Sequence, residues 1–390
     1  MKFIKFIIIT LFLISCKTIN NKNNSQLRVF NLKELPKISV VKLSDLGFVD
    51  IEYIPLETTP NCVISHILKI EIGNGFYLIQ NLNKIYEFQN DGSFVSKIGT
   101  EGRGPNEYTV AHDIDIERRN QNIYLVSAWQ KKFFVYTEYG DFLRTFHSPQ
   151  NTINFRVTKD GILCYNSNVM ANTDISYNLI DTLGRTIKNF SNKYPWTRVG
   201  TSLLAAENLY YRFDNRLFKK EIYSDTIYTF EDKEFKPHLV IEQGGKLLTP
   251  EARSKYGPEY LSEHYIIQTN LFEFGDYIYY EFSYDFKIGG QNFYRGFIGS
   301  KKNNSQVLID ASKGLINDLD NGPNIILKSI KDDNTIISWV DALELKKLVA
   351  SEDFNNSNPK YPERKKELEK LAKKIKESDN PIIVLVKLKK

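Results

Sequence analysis

Three of the five histidines, His66, His112 and His264, stand just ahead of apolar runs, and His112 is followed by Asp113 and Asp115. Imidazole and carboxylate brought together could hold a divalent metal, move protons or contact a ligand directly. No local spacing such as HExxH supports a metal, so the plainer reading is polar residues at strand ends, hydrogen-bonded to backbone. A second set lies in Gly99-Thr100-Glu101-Gly102-Arg103-Gly104-Pro105-Asn106-Glu107-Tyr108. Arg103 offers a forked donor for carboxylate and Tyr108 a face for a sugar or peptide, with Glu107 between them. In the structural alternative Glu107 caps loop amides and Tyr108 plugs a gap between sheets. Gly257-Pro258-Glu259-Tyr260 echoes the loop, which favours that alternative, because ligand sites seldom repeat. The candidates for ligand contact are therefore Arg103, Glu107, Tyr108, His66, His112, Asp113 and His264. No catalytic residue, metal ligand or cofactor is assigned. A GxSxG elbow, a P-loop and a Rossmann glycine pattern are all missing from the sequence.

These residues need elements to position them. Three glycines and a proline within Gly99–Pro105 cannot continue a strand or helix, so the run reads as a shaped crossing between strands at Phe94–Ile98 and Val110–Ile116. Apolar runs recur after turn signals, beginning at Phe76, Ile123, Ile162, Leu209, Ile278 and Ile336, with separations of 47, 39, 47, 69 and 58 positions. Asn74-Gly75, Asp160-Gly161 and Gly275-Asp276 supply hairpin turns ahead of three of them. A matching element follows, clearest as Lys84–Phe88 against Thr226–Phe230.

Six such units of about four strands are what a β-propeller needs, and a propeller buries its sheets only if the ring closes. The last unit supplies strands near Ile325–Leu327 and Ile336–Trp339. Pro381–Leu388 would add the third and Val49–Leu56 the fourth, sealing the ring with both chain ends. Between them, 341–379 reads as a helical insert of two stretches, the second with an apolar stripe of Leu368, Leu371 and Ile375. Its seven basic residues are interrupted by glutamates, so they read as a solvated face. The Asp-box repeat of sialidase propellers is absent.

Residues 1–15 read as a lipoprotein signal peptide. Lys2 and Lys5 precede an apolar run too short to span a bilayer, and Leu13-Ile14-Ser15-Cys16 has the form of a lipobox. Cleavage before Cys16 and acylation of its thiol would anchor the protein to a membrane, with 16–26 as a flexible tether. Losing the two lysines lowers the formal charge from +5 to +3, which gives no case for nucleic acid. Cys62 and Cys164 would remain as two free buried thiols.

Ile54-Pro55-Leu56-Glu57-Thr58-Thr59, the Gly99–Tyr108 loop and Asp379-Asn380-Pro381-Ile382-Ile383-Val384-Leu385 resemble a family of six-bladed β-propeller lipoproteins of Gram-negative bacteria, similar to NHL repeats. The resemblance covers nearly the whole mature chain. It implies fold and envelope location and carries no established activity. Family members often bear acidic residues just after the lipid-bearing Cys, linked to surface export. Lys17-Thr18-Ile19-Asn20 lacks them, which leaves both faces of the outer membrane open.

The expectation is an all-β, six-bladed propeller over 27–390, closed by N- and C-terminal strands. Its function would be that of a monomeric, non-catalytic outer-membrane lipoprotein whose propeller mouth binds a peptide, glycan or envelope protein. The alternative is a metal-dependent lyase or hydrolase with its site in the central channel.

Overall fold

The computed structural model describes residues 27–198, 206–287, 289–290 and 294–389. The signal peptide, Cys16 and the tether through residue 26 lie outside them.

Six sheets form the propeller blades. The first two strands, β1 (Arg28–Asn31) and β2 (Phe48–Pro55), join blades completed much later in the chain. Blade 1 comprises β3 (Lys69–Ile72), β4 (Phe76–Asn81), β5 (Lys84–Gln89) and β6 (Phe94–Lys97). Blade 2 comprises β7 (Asp113–Ile116), β8 (Ile123–Ser127), β9 (Lys132–Tyr136) and β10 (Phe142–His147). Blade 3 comprises β11 (Thr152–Thr158), β12 (Gly161–Asn166), β13 (Ile175–Ile180) and β14 (Thr186–Ser191). Blade 4 comprises β15 (Asn208–Phe213), β16 (Arg216–Glu221), β17 (Thr226–Glu231) and β18 (Glu234–Glu242), with β1 added in parallel to the edge of β18.

Helices α1 (Pro250–Lys255) and α2 (Pro258–His264) lead into blade 5, which comprises β19 (Ile267–Phe274), β20 (Tyr277–Ser283), β21 (Arg295–Ser300) and β22 (Gln306–Asp310). Blade 6 begins with β23 (Ser329–Asp332) and β24 (Thr335–Val340). Then come α3 (Ala342–Val349), α4 (Glu352–Asn356), α5 (Pro362–Lys374) and β25 (Ile382–Leu388). β2 is the outermost strand of this blade.

The periodicity follows from position within a blade. All six residues of β4 and all five of β8 are buried, because neighbouring blades cover both faces of a second strand. The outer strand β6 alternates half-buried with exposed, since water reaches one face. The seam closes as the sequence implies: β2 pairs antiparallel with β25 from Phe48↔Leu388 to Pro55↔Ile382. Asn380, 2% exposed, fastens it. Its Nδ2 donates to the Glu57 and Cys62 carbonyls at 2.8 and 3.0 Å, and its Oδ1 accepts from Ile64 N–H at 2.8 Å. Gly92, at φ 88°, lets the β5–β6 turn approach the Pro55 carbonyl so closely that a Cβ would clash.

The N-terminal segment is a strap. After β1 on blade 4 it bridges Ile38 to Leu308 and Lys42 to Ile316 along blade 5, then enters blade 6 as β2.

Four details differ from the sequence reading. The fourth unit's second strand is β16, and the Leu209 run is the inner strand β15, because Lys219-Lys220-Glu221 breaks the apolar pattern while being buried. Lys219 pairs with Glu221 among the Tyr177, Tyr228 and Phe235 rings. Lys220 Nζ donates to Gln268 Oε1 at 3.1 Å and the Glu221 carbonyl at 3.3 Å, and burial pushes its ammonium down to about 7. The insert holds three helices, since Ser351 caps the short α4 through Phe354 N–H. Ile325 forms only an isolated bridge with Leu315, and the inner strand starts at Ser329. Gly257-Pro258 opens helix α2 with proline in its first turn, so it is not a second copy of the glycine loop. Cys62 and Cys164 are free and buried.

Candidate functional site

The inner strands carry side chains onto the propeller axis. In β7, Ile114 and Ile116 pack toward blade 1, so the period-2 alternation turns Asp113 and Asp115 toward the axis and blade 3. Both are nearly inaccessible, at 4% and 1% exposure, and burying a carboxylate demands partners. Asp113 accepts from Lys69 Nζ (2.5 Å), Arg156 Nη1 (2.9 Å), Asn154 Nδ2 (3.0 Å) and Phe155 N–H (3.0 Å). Asp115 takes a bidentate clamp from Arg212, at 3.0 and 2.8 Å, and the Val157 N–H at 2.6 Å. Burial alone would raise the Asp115 carboxyl, but Arg212 and Arg156 hold it below the usual carboxylate range. Lys69 also pairs with Glu71 at 2.8 Å. The network thus ties blades 1 to 4 together across the axis.

Beside it runs a cavity of about 1050 Å³, lined by residues of the inner strands β3, β11, β15, β19 and β23 and by Glu117–Arg119 just after β7. Much of its wall lies where those strands end and turn outward, at Glu117–Arg119, Thr158–Asp160, Phe213, Asn215 and Asp332–Asp333. Lys331 donates to Tyr77 OH at 2.9 Å, across the blade 6–blade 1 boundary. Arg156 and Arg212 also contribute to the wall.

None of the seven residues singled out from the sequence lines this cavity. Asp113 comes nearest, as a strut behind Arg156. Tyr108 is fully buried between blades 1 and 2, with its ring against Phe134 at 6.2 Å. The Glu107 carboxylate accepts from Gly104 N–H at 2.8 Å and fills the space over Gly102, where a Cβ would clash. Gly99, at φ 65°, sits so close to Tyr136 OH that no side chain fits. Arg103 is exposed on the same loop.

The histidines precede three different inner strands and do not meet. His66 is exposed, and its N–H donates to Asn81 Oδ1. His112 Nδ1 accepts from Ala128 N–H, and burial lowers its pKa. His264 ends α2, its ring stacked on Tyr260 at 3.9 Å. Among the described residues, no group of three or more His, Cys, Asp or Glu is placed to hold a metal. No helix among them is long and apolar enough to cross a membrane.

The wall residues Arg118, Arg156, Arg212 and Lys331 were missed from the sequence. Arg118 had a signal in the charged run Glu117-Arg118-Arg119 after an inner strand, whereas Arg156, Arg212 and Lys331 lie within inner strands and had none.

Fold and cavity together define a six-bladed propeller with an open axial chamber. The chain belongs to the family described as Domain of unknown function (DUF4934), matched over residues 27–387. Among solved structures it is similar to a protein described as exported, from Bacteroides fragilis NCTC 9343, at 18% identity and TM-score 0.69, covering 93% of this chain and 99% of that one. A member of the duf4221 family from Bacteroides vulgatus ATCC 8482 is similar at 11% identity and TM-score 0.52, covering 88% and 97%. At such identities the likeness concerns the fold. No curated protein matches the chain.

Proposed function

We propose that this is an exported binding protein, anchored at the outer membrane by a lipid on Cys16, whose axial chamber holds a peptide, glycan or partner protein without altering it. The observation that carries the reading is the cavity of about 1050 Å³ walled by residues from all six blades, a size suited to a small ligand or the tip of a larger one. The basic and apolar residues ahead of Cys16 support export, as does the likeness to a Bacteroides protein described as exported. Lipid attachment is tested by labelled palmitate incorporation, expected for the wild type and lost in Cys16→Ser. Binding is tested by calorimetry against glycan and peptide panels, using Ser329→Trp to fill the chamber from β23. Saturable binding abolished by that substitution supports the reading. A ligand held equally well by the filled chamber refutes it.

A further inference from the structure

Resting on the chamber as the binding site, we propose that Arg118 receives a carboxylate of a small acidic ligand seated there. The charges of the axial network are already matched. Lys69 and Arg156 answer Asp113, Arg212 answers Asp115, and Glu71 closes on Lys69. Arg118 lies two residues after the end of β7 and lines the chamber. Among the described residues its guanidinium forms no hydrogen bond and no ion pair. Arg118 is exposed to solvent on the chamber wall; Glu71, Asp115 and Asp333 attract it only from a distance, and the like charge of Arg212 repels it.

An exposed forked cation on the chamber wall, beside another arginine, is available to a planar anion that enters the chamber. Carboxylate matches the five-donor guanidinium in a two-bond fork. Among the described residues Lys331, on the wall from blade 6, has only a neutral phenol as hydrogen-bond partner, and it supplies a second positive charge. The chamber is large enough for a ligand of several sugar or amino-acid units. Uronic-acid oligosaccharides and acidic peptides share the required group.

The test is calorimetric titration of the mature full-length protein with trigalacturonate, its methyl triester, a triglutamate peptide and triglutamine. An acidic probe should bind, weaken with added salt, and bind at least ten-fold more weakly to Arg118→Gln. Its neutral counterpart should not respond to that substitution. Binding of the sugar alone, or of the peptide alone, supports the assignment and identifies the source of the carboxylate. Since Arg118 has no bond to lose, Arg118→Gln should unfold at the wild-type temperature, which separates site loss from misfolding. Failure of both acidic probes to bind overturns the assignment. An acidic probe excluded by Ser329→Trp but indifferent to Arg118→Gln overturns the arginine's role and leaves the chamber standing. A probe indifferent to both substitutions removes both readings.

Discussion

Replacing Lys220 by Met should flatten a pH dependence that the wild type carries. The Lys220 side chain is 0% exposed, and burial lowers its ammonium from an ordinary 10.5 to about 7, with Asp225 and Glu221 opposing the shift only in part. A base whose folded pKa lies below its unfolded one binds fewer protons when folded. Its cost to stability is therefore complete below about pH 7 and fades as pH rises toward 10.5. Between pH 7 and 9 the unfolded chain holds about half to one proton more than the folded one. At about 1.4 kcal/mol per proton per pH unit, the wild type should gain about 2 kcal/mol across that range. Lys220→Met keeps the aliphatic bulk beneath Tyr280, whose ring the ammonium faces at 5.1 Å, and removes the titrating group. It also strips a donor from Gln268 Oε1 and the Glu221 carbonyl, costing about 1–3 kcal/mol per acceptor at every pH, so absolute stability is not the informative quantity. Urea unfolding at pH 7, 8 and 9 reads the slope, below the range where tyrosines of the unfolded chain ionise. Parallel slopes in the two proteins would mean that Lys220 is charged inside blade 4 and that the argument from burial is wrong.

Asn380→Ala should destabilise the ring by about 3 kcal/mol, because the Glu57 and Cys62 carbonyls and the Ile64 N–H lose a buried partner together; thermal unfolding measures it, and a loss under 1 kcal/mol would contradict the seam's dependence on this side chain. Tyr108→Phe should cost under about 1 kcal/mol, since the hydroxyl's one bond, to the Ile98 carbonyl, is long at 3.4 Å, whereas Tyr108→Ala should cost about 3–5 kcal/mol by opening a cavity between blades. Equal losses in the two variants would show that the hydroxyl matters more than the ring. Asp113→Asn should lower stability at pH 7 by about 3 kcal/mol, as Lys69 and Arg156 lose their charged partner. The depressed Asp115 carboxyl adds stability that is present above its unfolded pKa and lost as pH falls through its folded one; Asp115→Asn should therefore show a shallower decline in urea-derived stability between pH 5 and 2 than the wild type.

The ring and its closure were legible because burial on both faces leaves a strong mark. Second strands such as Phe76–Ile79 and Ile123–Val126 are continuous apolar runs, and Ile382–Val386 stands out near the chain end. Blade 4 was misregistered because Lys219, Lys220 and Glu221 are buried by mutual pairing and aromatic contact, which composition does not reveal. The short helix α4 depends on one Ser351 cap rather than on periodicity. The chamber itself was illegible for a topological reason. Its wall is drawn from all six blades, spread over the chain, and a local motif cannot show that Arg156 and Arg212 meet Asp113 and Asp115. Glycine and histidine drew attention to the opposite ends of the inner strands, where the loop proves tightly self-packed around Glu107 and Tyr108.

The strap has a kinetic consequence. The first described strand leaves the ribosome before any of its docking surfaces exist: β18 comes some two hundred residues later, the edge of blade 5 later still, and β25 last of all. β1 must therefore wait, unpaired, for β18, and β2 for β25. Closure of the ring is thus deferred until the last strand has been made.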